Sequence, residues 1–445
     1  MARSYRPFPG GQSTARVLLS PVVERFRRDS LFRNSVFIMS TTVVNSVLGY
    51  VFWLLAARLF PAEFVGLTAA VISASTVIVL LAGLGIGGAL IQALPGARNS
   101  PVWSQTFWAG MATAIVVGAS IVIAAVWLLP VAAEQFSIFR GWGYGAMFAI
   151  GTLAMIAGSI FDYVFIAERA ADRVLIRSSI VAVAKVTFIV ALSALVGVSA
   201  YALLGAWAAA ALIGLGLGAA LARPRMDDLA PPRAHLVVQA ILKMRRHIAG
   251  QQLIGMGAAL LPYVLSVVVA IRLSATDNAY FFTTWAMSGL FLVIAPAVSL
   301  SLFAEGAHDR AALRDKARSA LALVGAILVP GALAVLAFGG IVLSTFGEAY
   351  QQSATGLLHV VLLAAFPDAV TNIYLAVLRV QGRLKVAAAL SMGMGVGTVA
   401  LAWVLLPTFG VIAVGWAFLL MQSAGCLFVL FDLAQSRATQ RGLVS

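Results

Sequence analysis

Charge is scarce in this sequence, and acid is scarcest. Asp and Glu number 16 against 30 Lys and Arg in 445 residues, and charged residues make up 10% of the chain. An ordinary soluble chain carries about 25%, so most of this one is unsuited to a solvated surface. Cysteine is nearly missing as well: Cys426 stands alone, which excludes a disulfide framework and a cysteine-based metal site. There is no Walker loop, no H-E-x-x-H zinc motif and no G-x-S-x-G turn. ATP hydrolysis, zinc chemistry and serine acyl transfer thus find no support, and neither an enzyme nor a cofactor or metal site is expected. The 33 residues before the first apolar run are basic and polar, with no short apolar core or cleavage site. No removable signal peptide is expected from them.

What the chain has instead is apolar length. Hydrophobic residues make up 62%, and a helix needs about 20 mostly apolar residues to cross a bilayer. Twelve such runs are present: 34–57, 65–91, 103–129, 144–167, 178–197, 199–222, 248–271, 278–303, 319–346, 354–378, 386–406 and 410–433. The fold class expected is an all-α polytopic membrane protein with about twelve transmembrane helices. The tightest boundary is "VGVSA", where two spans must turn with almost no loop. "GLGIGG" (83–88) resembles a phosphate loop, but it has no preceding strand and lies within a span. Close helix packing in lipid explains its glycines better.

The basic excess is a topology signal. With twelve spans, 26 of the 30 Lys and Arg fall in the arms and loops of one side. Arg58, Arg140 and Arg272 fall on the other, and Lys185 within a span. Positive charge marks the cytoplasmic side, so both termini are expected there. Anionic lipid headgroups are the partner this charge implies, and nucleic acid is an unnecessary one.

The sequence also repeats. "AARLFPAEFVG" (56–66) and "AIRLSATDNAY" (270–280) close the first span of each half. Each half is approached by a basic amphipathic stretch, "PVVERFRRDSLF" or "AHLVVQAILKMRRH", suited to a helix in the headgroup plane. Six spans is an even number, so the halves enter with one orientation and form parallel lobes. The expected organisation is a basic arm over 1–33, a six-helix lobe over 34–222 and a cytoplasmic linker over 223–247. A second six-helix lobe follows over 248–433, then a cytoplasmic tail over 434–445. Two-lobed bundles of this kind place a cavity between the lobes and expose it alternately to each side.

Charges inside the spans are the candidate functional residues, because each costs about 2.5–3.5 kcal/mol near the bilayer centre. With the turn between spans 4 and 5 centred near residue 173, Asp162 and Lys185 stand at similar depth. They either form an ion pair or face the same polar cavity. Asp368 follows Pro367 inside span 10, where a proline frees a carbonyl and kinks the helix. Asn372 and His359 share that helix, and Asn45 and Gln252 offer hydrogen bonds to sugar hydroxyls or to neighbouring helices. Arg58 and Arg272 sit at the outer ends of the spans that open each lobe. Pro262 and Pro330-Gly331 are further candidate kinks.

Five stretches carry a family likeness: "ARLFPAEFVGL" (57–67), "LAGLGIGGALIQALP" (81–95), "FDYVFIAERAADRVLIRSSIVAVAK" (161–185), "PAVSLSLFAEGAHD" (296–309) and "LRVQGRLK" (378–385). With these the sequence resembles the polysaccharide-biosynthesis (Wzx-type) oligosaccharide flippases. Their MOP superfamily also holds the multidrug MATE exporters and the lipid II flippases. The resemblance implies a bacterial inner-membrane protein that moves a polyprenyl-diphosphate-linked oligosaccharide to the outer leaflet for the cell envelope. It implies a cavity in which a cation, Lys185, meets the diphosphate, while Arg58 and Arg272 receive the headgroup on exit. Asp162 and Asp368 become candidates for coupling to H+ or Na+. Glycosyltransferases and a polysaccharide polymerase become candidate partners. Lipid II flippases have fourteen spans and a cluster of cavity arginines, which this chain lacks. The competing readings are a cation-coupled drug exporter of the same fold, a major-facilitator transporter and a membrane-embedded glycosyltransferase or polymerase.

Overall fold

A computed structural model describes residues 30–83, 85–95, 101–226, 252–308 and 312–442. Most of the first amphipathic approach, all of the second and most of the 223–247 linker lie outside the described residues, as does the side chain of Gln252.

All described regular structure is helical. Helix α1 spans Ser30–Leu59, α2 Ala62–Ala82, α3 Ile86–Ala93 and α4 Pro101–Ala132. A 3-10 turn at Glu134–Arg140 leads to α5, Trp142–Ala167, then α6, Ala171–Val196, and α7, Ala200–Met226. The second half holds α8, Gln252–Arg272, α9, Ala275–Leu292, α10, Ile294–His308, and α11, Leu313–Ser344. It ends with α12, Glu348–Val380, α13, Leu384–Phe409, and α14, Ile412–Gly442. Among the described residues, 11 helical stretches are long and apolar enough to span a membrane, and Leu261–Arg272 in α8 is a shorter apolar one.

Two expected spans are broken. Span 2 divides into α2 and α3 at "GLG", where Gly85 takes φ +70°, a left-handed value that suits a residue without a Cβ. Close packing comes two residues later: a Cβ on Gly87 would lie 2.6 Å from the Tyr163 ring. Span 8 divides into α9 and α10 at Val293, just ahead of Pro296. The "VGVSA" turn closes as expected, with Gly197 at φ +84° between α6 and α7.

The halves use the same packing scheme. In the first, α1 lies along α6, α5 and α6 pack on α7, and α3 and α4 pack on α5. In the second, α8 lies along α13, α12 and α13 pack on α14, and α10 and α11 pack on α12. The turns after spans 4 and 10 even share a hydrogen bond. Ala170 N–H donates to Phe165 O at 2.8 Å, and Arg383 N–H to Leu378 O at 2.9 Å. This is the closure of a helix that ends in a left-handed residue. Arg169 supplies that residue with φ 58° in the first lobe, and Gly382 with φ +77° in the second.

Candidate functional site

The turn at 168–170 corrects the depth assigned to Asp162 and Lys185. From Ala170 as apex, Asp162 lies about 12 Å away along α5 and Lys185 about 22 Å away along α6. They do not stand at one height, and they do not form a pair. Asp162 instead binds Arg177, whose Nε donates to Oδ1 at 2.8 Å while Nη2 donates to Oδ2. Arg177, expected in the basic loop, lies in the second turn of α6 inside a spanning segment. Lys185 is therefore not the one cation within a span.

The glycines around Arg177 explain how it fits. A Cβ on Gly158 of α5 would lie 3.0 Å from its Nη1, and one on Gly214 of α7 would lie 3.1 Å away. The missing side chains leave a slot for the planar guanidinium between three helices. At the far end of the second lobe a similar clasp forms. Arg383 donates from Nη1 and Nη2 to the two carboxylate oxygens of Asp432 at 2.7 Å each, and the Tyr374 hydroxyl donates to the same carboxylate. This bidentate contact raises the already high pKa of Arg383. Both pairs sit near the basic end of their lobes and tie spans together.

Lys185 is differently placed. The exposed side chains of α6 include Ile176, Ile180, Val183 and Val190, all on the opposite side from Lys185. Its own face carries Val181, which approaches Gly214 of α7, and Ile189, packed with Phe52 of α1 and Leu203 of α7. The ammonium thus points among the helices of the first lobe while the residue keeps partial exposure. It has neither a hydrogen bond nor an ion pair among the described residues. With Asp162 committed to Arg177, Lys185 is a lone positive charge.

The second lobe holds the complementary case. Asp368 is 8% exposed between α12 and α14, and Gln422 Nε2 donates to its Oδ1 at 3.0 Å. Gln422 is itself held by Thr371, whose hydroxyl donates to Gln422 Oε1 at 2.8 Å. No cation meets Asp368 among the described residues. Asn372 donates to the carbonyl of Asp368 rather than into open space, at 2.9 Å. Cys426 Sγ contacts Pro367 O at 3.4 Å, so α14 stitches the proline-containing stretch of α12 from two positions.

The remaining candidates divide. Asn45 is exposed on α1. Arg58 is engaged across the lobes, with Nε donating to Thr345 O at 2.6 Å. Arg272 donates to Trp403 O at 3.2 Å and stacks over the Trp403 ring at 4.7 Å. Both arginines hold helices together, which competes with the role of waiting for a headgroup. His359 Nε2 is buried with no hydrogen-bond partner among the described residues. Sequence reading missed Gln422, Arg177 and Asn278. Arg177 was visible only as a loop charge, whereas Asn278 stands in the repeated motif "AIRLSATDNAY", as a polar residue at the start of a span.

Comparison with known proteins follows this geometry. Residues 31–236 match the model of the family described as polysaccharide biosynthesis protein. No curated protein matches the chain. Among solved structures, the inward-facing form of a multidrug-resistance MATE transporter of the MOP superfamily aligns with TM-score 0.72 and 14% identity, covering 92% of this chain and 99% of that one. The lipid II flippase MurJ, in an inward closed conformation, aligns with TM-score 0.70 and 12% identity over 90% of this chain and 87% of that one. An outward-facing MATE transporter aligns with TM-score 0.58 and 15% identity over 93% of this chain and 96% of that one. Residues 31–236 therefore match the polysaccharide biosynthesis family model, and the chain as a whole has the fold of the MATE and MurJ structures, with 11 helical stretches among the described residues long and apolar enough to span a membrane.

Proposed function

We propose that this protein moves a polyprenyl-diphosphate-linked oligosaccharide from the cytoplasmic to the outer leaflet of a bacterial inner membrane, by alternating access between its two lobes. The observation that carries this reading is the lone charge of Lys185. A cation held among apolar helices without a counter-charge is costly, and an anion entering the lobe would relieve that cost. The diphosphate is the anionic part of such a cargo. The glycan would fill the space between the lobes, with the polyprenyl tail left in lipid. The basic side faces the cytoplasm in this scheme, and the arms there meet anionic headgroups.

Asp368 is the coupling residue in this proposal, because Asp162 is already neutralised by Arg177. A charge crossing the field gains about 2.3 kcal/mol per 100 mV, so one H+ or Na+ per cycle supplies a usable drive. Asp368→Asn is expected to leave the protein folded, since an amide can still meet Gln422, and to make transport indifferent to imposed proton and sodium gradients. Transport by Asp368→Asn that still follows either gradient would remove Asp368 from the coupling path.

The direct test uses proteoliposomes and a fluorescent polyprenyl-diphosphate oligosaccharide, with a membrane-impermeant quencher outside. Protein-dependent exchange between leaflets supports the flippase. The unpaired carboxylate of Asp368 favours a second reading, an exporter of organic cations. A cationic dye that moves while the labelled lipid stays in its leaflet, across several glycans, would select it instead.

A further inference from the structure

The lobes touch at one end of the molecule, and the contacts there are specific. Helix α2 of the first lobe packs on α8 and α9 of the second. Asn278 of α9 is fully buried at this junction. Its Nδ2 donates to Gly66 O of α2 at 2.7 Å, and its Oδ1 accepts from the Ser266 hydroxyl of α8 at 3.0 Å. One amide therefore joins three helices and both lobes. Gly66 permits the approach, since a Cβ there would overlap the carbonyl of Ala275. Around this centre, Gln135 Nε2 donates to Ala270 O at 2.7 Å, Arg58 reaches Thr345 O, and the Trp53 and Phe282 rings lie 4.7 Å apart.

All these residues lie at the end opposite the basic turns that carry Arg169, Arg314 and Arg383. In the outer half of α1, Tyr50 meets Phe346 of the second lobe at 5.3 Å. The broken spans fit the same division. Helices α2 and α9 meet each other across the lobes, whereas α3 packs on α5 and α10 on α12 within their own lobes. The breaks at Gly83–Gly85 and Val293 separate the part of each span at the junction from the part anchored in its lobe.

We infer that Asn278 is the latch of the outer gate: its amide, seated on the bare Gly66 backbone and steadied by Ser266, holds the lobes together at the outer end. The inference uses the rocking of two lobes from the functional reading above and nothing about the cargo. Buried amide groups are costly to leave unpaired. Opening must break the Asn278–Gly66 hydrogen bond, which lies in an apolar junction, so this residue weighs on the closed state more than the solvated Arg58 contact does.

The test measures distance in the full-length protein in lipid nanodiscs, without cargo. Spin labels replace Trp142 and Phe409, exposed at the outer ends of the two lobes, in a Cys426→Ser background. The parent should show one short distance. Asn278→Ala should raise the fraction at longer distance about tenfold, the shift expected for the loss of one well-formed buried hydrogen bond. Ser266→Ala should move it the same way by less, and serves if Asn278→Ala fails to fold. Gly66→Ala should lengthen the distance by wedging α2 away from α9. A longer distance in Gly66→Ala with none in Asn278→Ala or Ser266→Ala overturns the latch and leaves the rocking of the lobes standing. Unchanged distances in all three variants overturn both.

Discussion

Lys185→Gln should lower the rate of lipid-linked oligosaccharide translocation about 10- to 100-fold while raising thermal stability. The two effects share one cause. The ammonium of Lys185 points into the first lobe with no counter-ion among the described residues, so the empty protein bears the cost of an uncompensated charge. That cost is about 2.5–3.5 kcal/mol near a bilayer centre, and a neutral amide escapes most of it. A hydrogen bond to a charged group is worth about 1.5–3 kcal/mol, which sets the range of the rate loss if the diphosphate is its partner. Lys185→Arg keeps the charge and should retain more activity than Lys185→Gln. A merely structural lysine predicts the reverse pattern, with transport intact and stability lowered. Flipping rate and melting temperature, measured on the same detergent-purified and reconstituted samples, decide between them.

Asp162→Ala should be among the most destabilising single substitutions in the chain, by about 3–5 kcal/mol, the range for breaking a buried ion pair from one side. Arg177 would remain in its slot between Gly158 and Gly214 with its charge unmet. Its side chain is 13% exposed, so water offers only partial compensation. The double variant Asp162→Leu/Arg177→Met should recover most of the loss, because removing both charges removes the desolvation cost along with the attraction. Denaturation of the purified variants measures this directly. A double variant no better than Asp162→Ala would mean that the pair does more than neutralise itself, and would return Asp162 to the transport path.

These expectations depend on a distinction that the sequence could not make. Asp162, Arg177 and Lys185 are all visible as charges in or beside two apolar runs. Their pairing turns on where the chain reverses, and a shift of the apex from near 173 to 168–170 changes relative heights by about 10 Å. The reversal at Arg169 was hard to see because an arginine occupies the left-handed position. The equivalent turn in the second lobe has Gly382 there, which sequence reading registers easily.

The sequence by itself determined the class of the molecule: its membrane-spanning helices, the repeat of two parallel halves and the likeness to a flippase superfamily. The helices follow from composition and periodicity, because a bilayer demands long apolar helices whatever their neighbours; the likeness is a resemblance carried by five short stretches. Only the tertiary structure decided which buried charges are spent and which are free. It gave Asp162 to Arg177 and Asp432 to Arg383, and left Lys185 and Asp368 without opposite charges among the described residues. It also brought Asn278 onto Gly66, 212 positions away in the chain. Such pairings depend on helix heights, rotations and the absence of a Cβ at particular glycines, which emerge only when the helices pack.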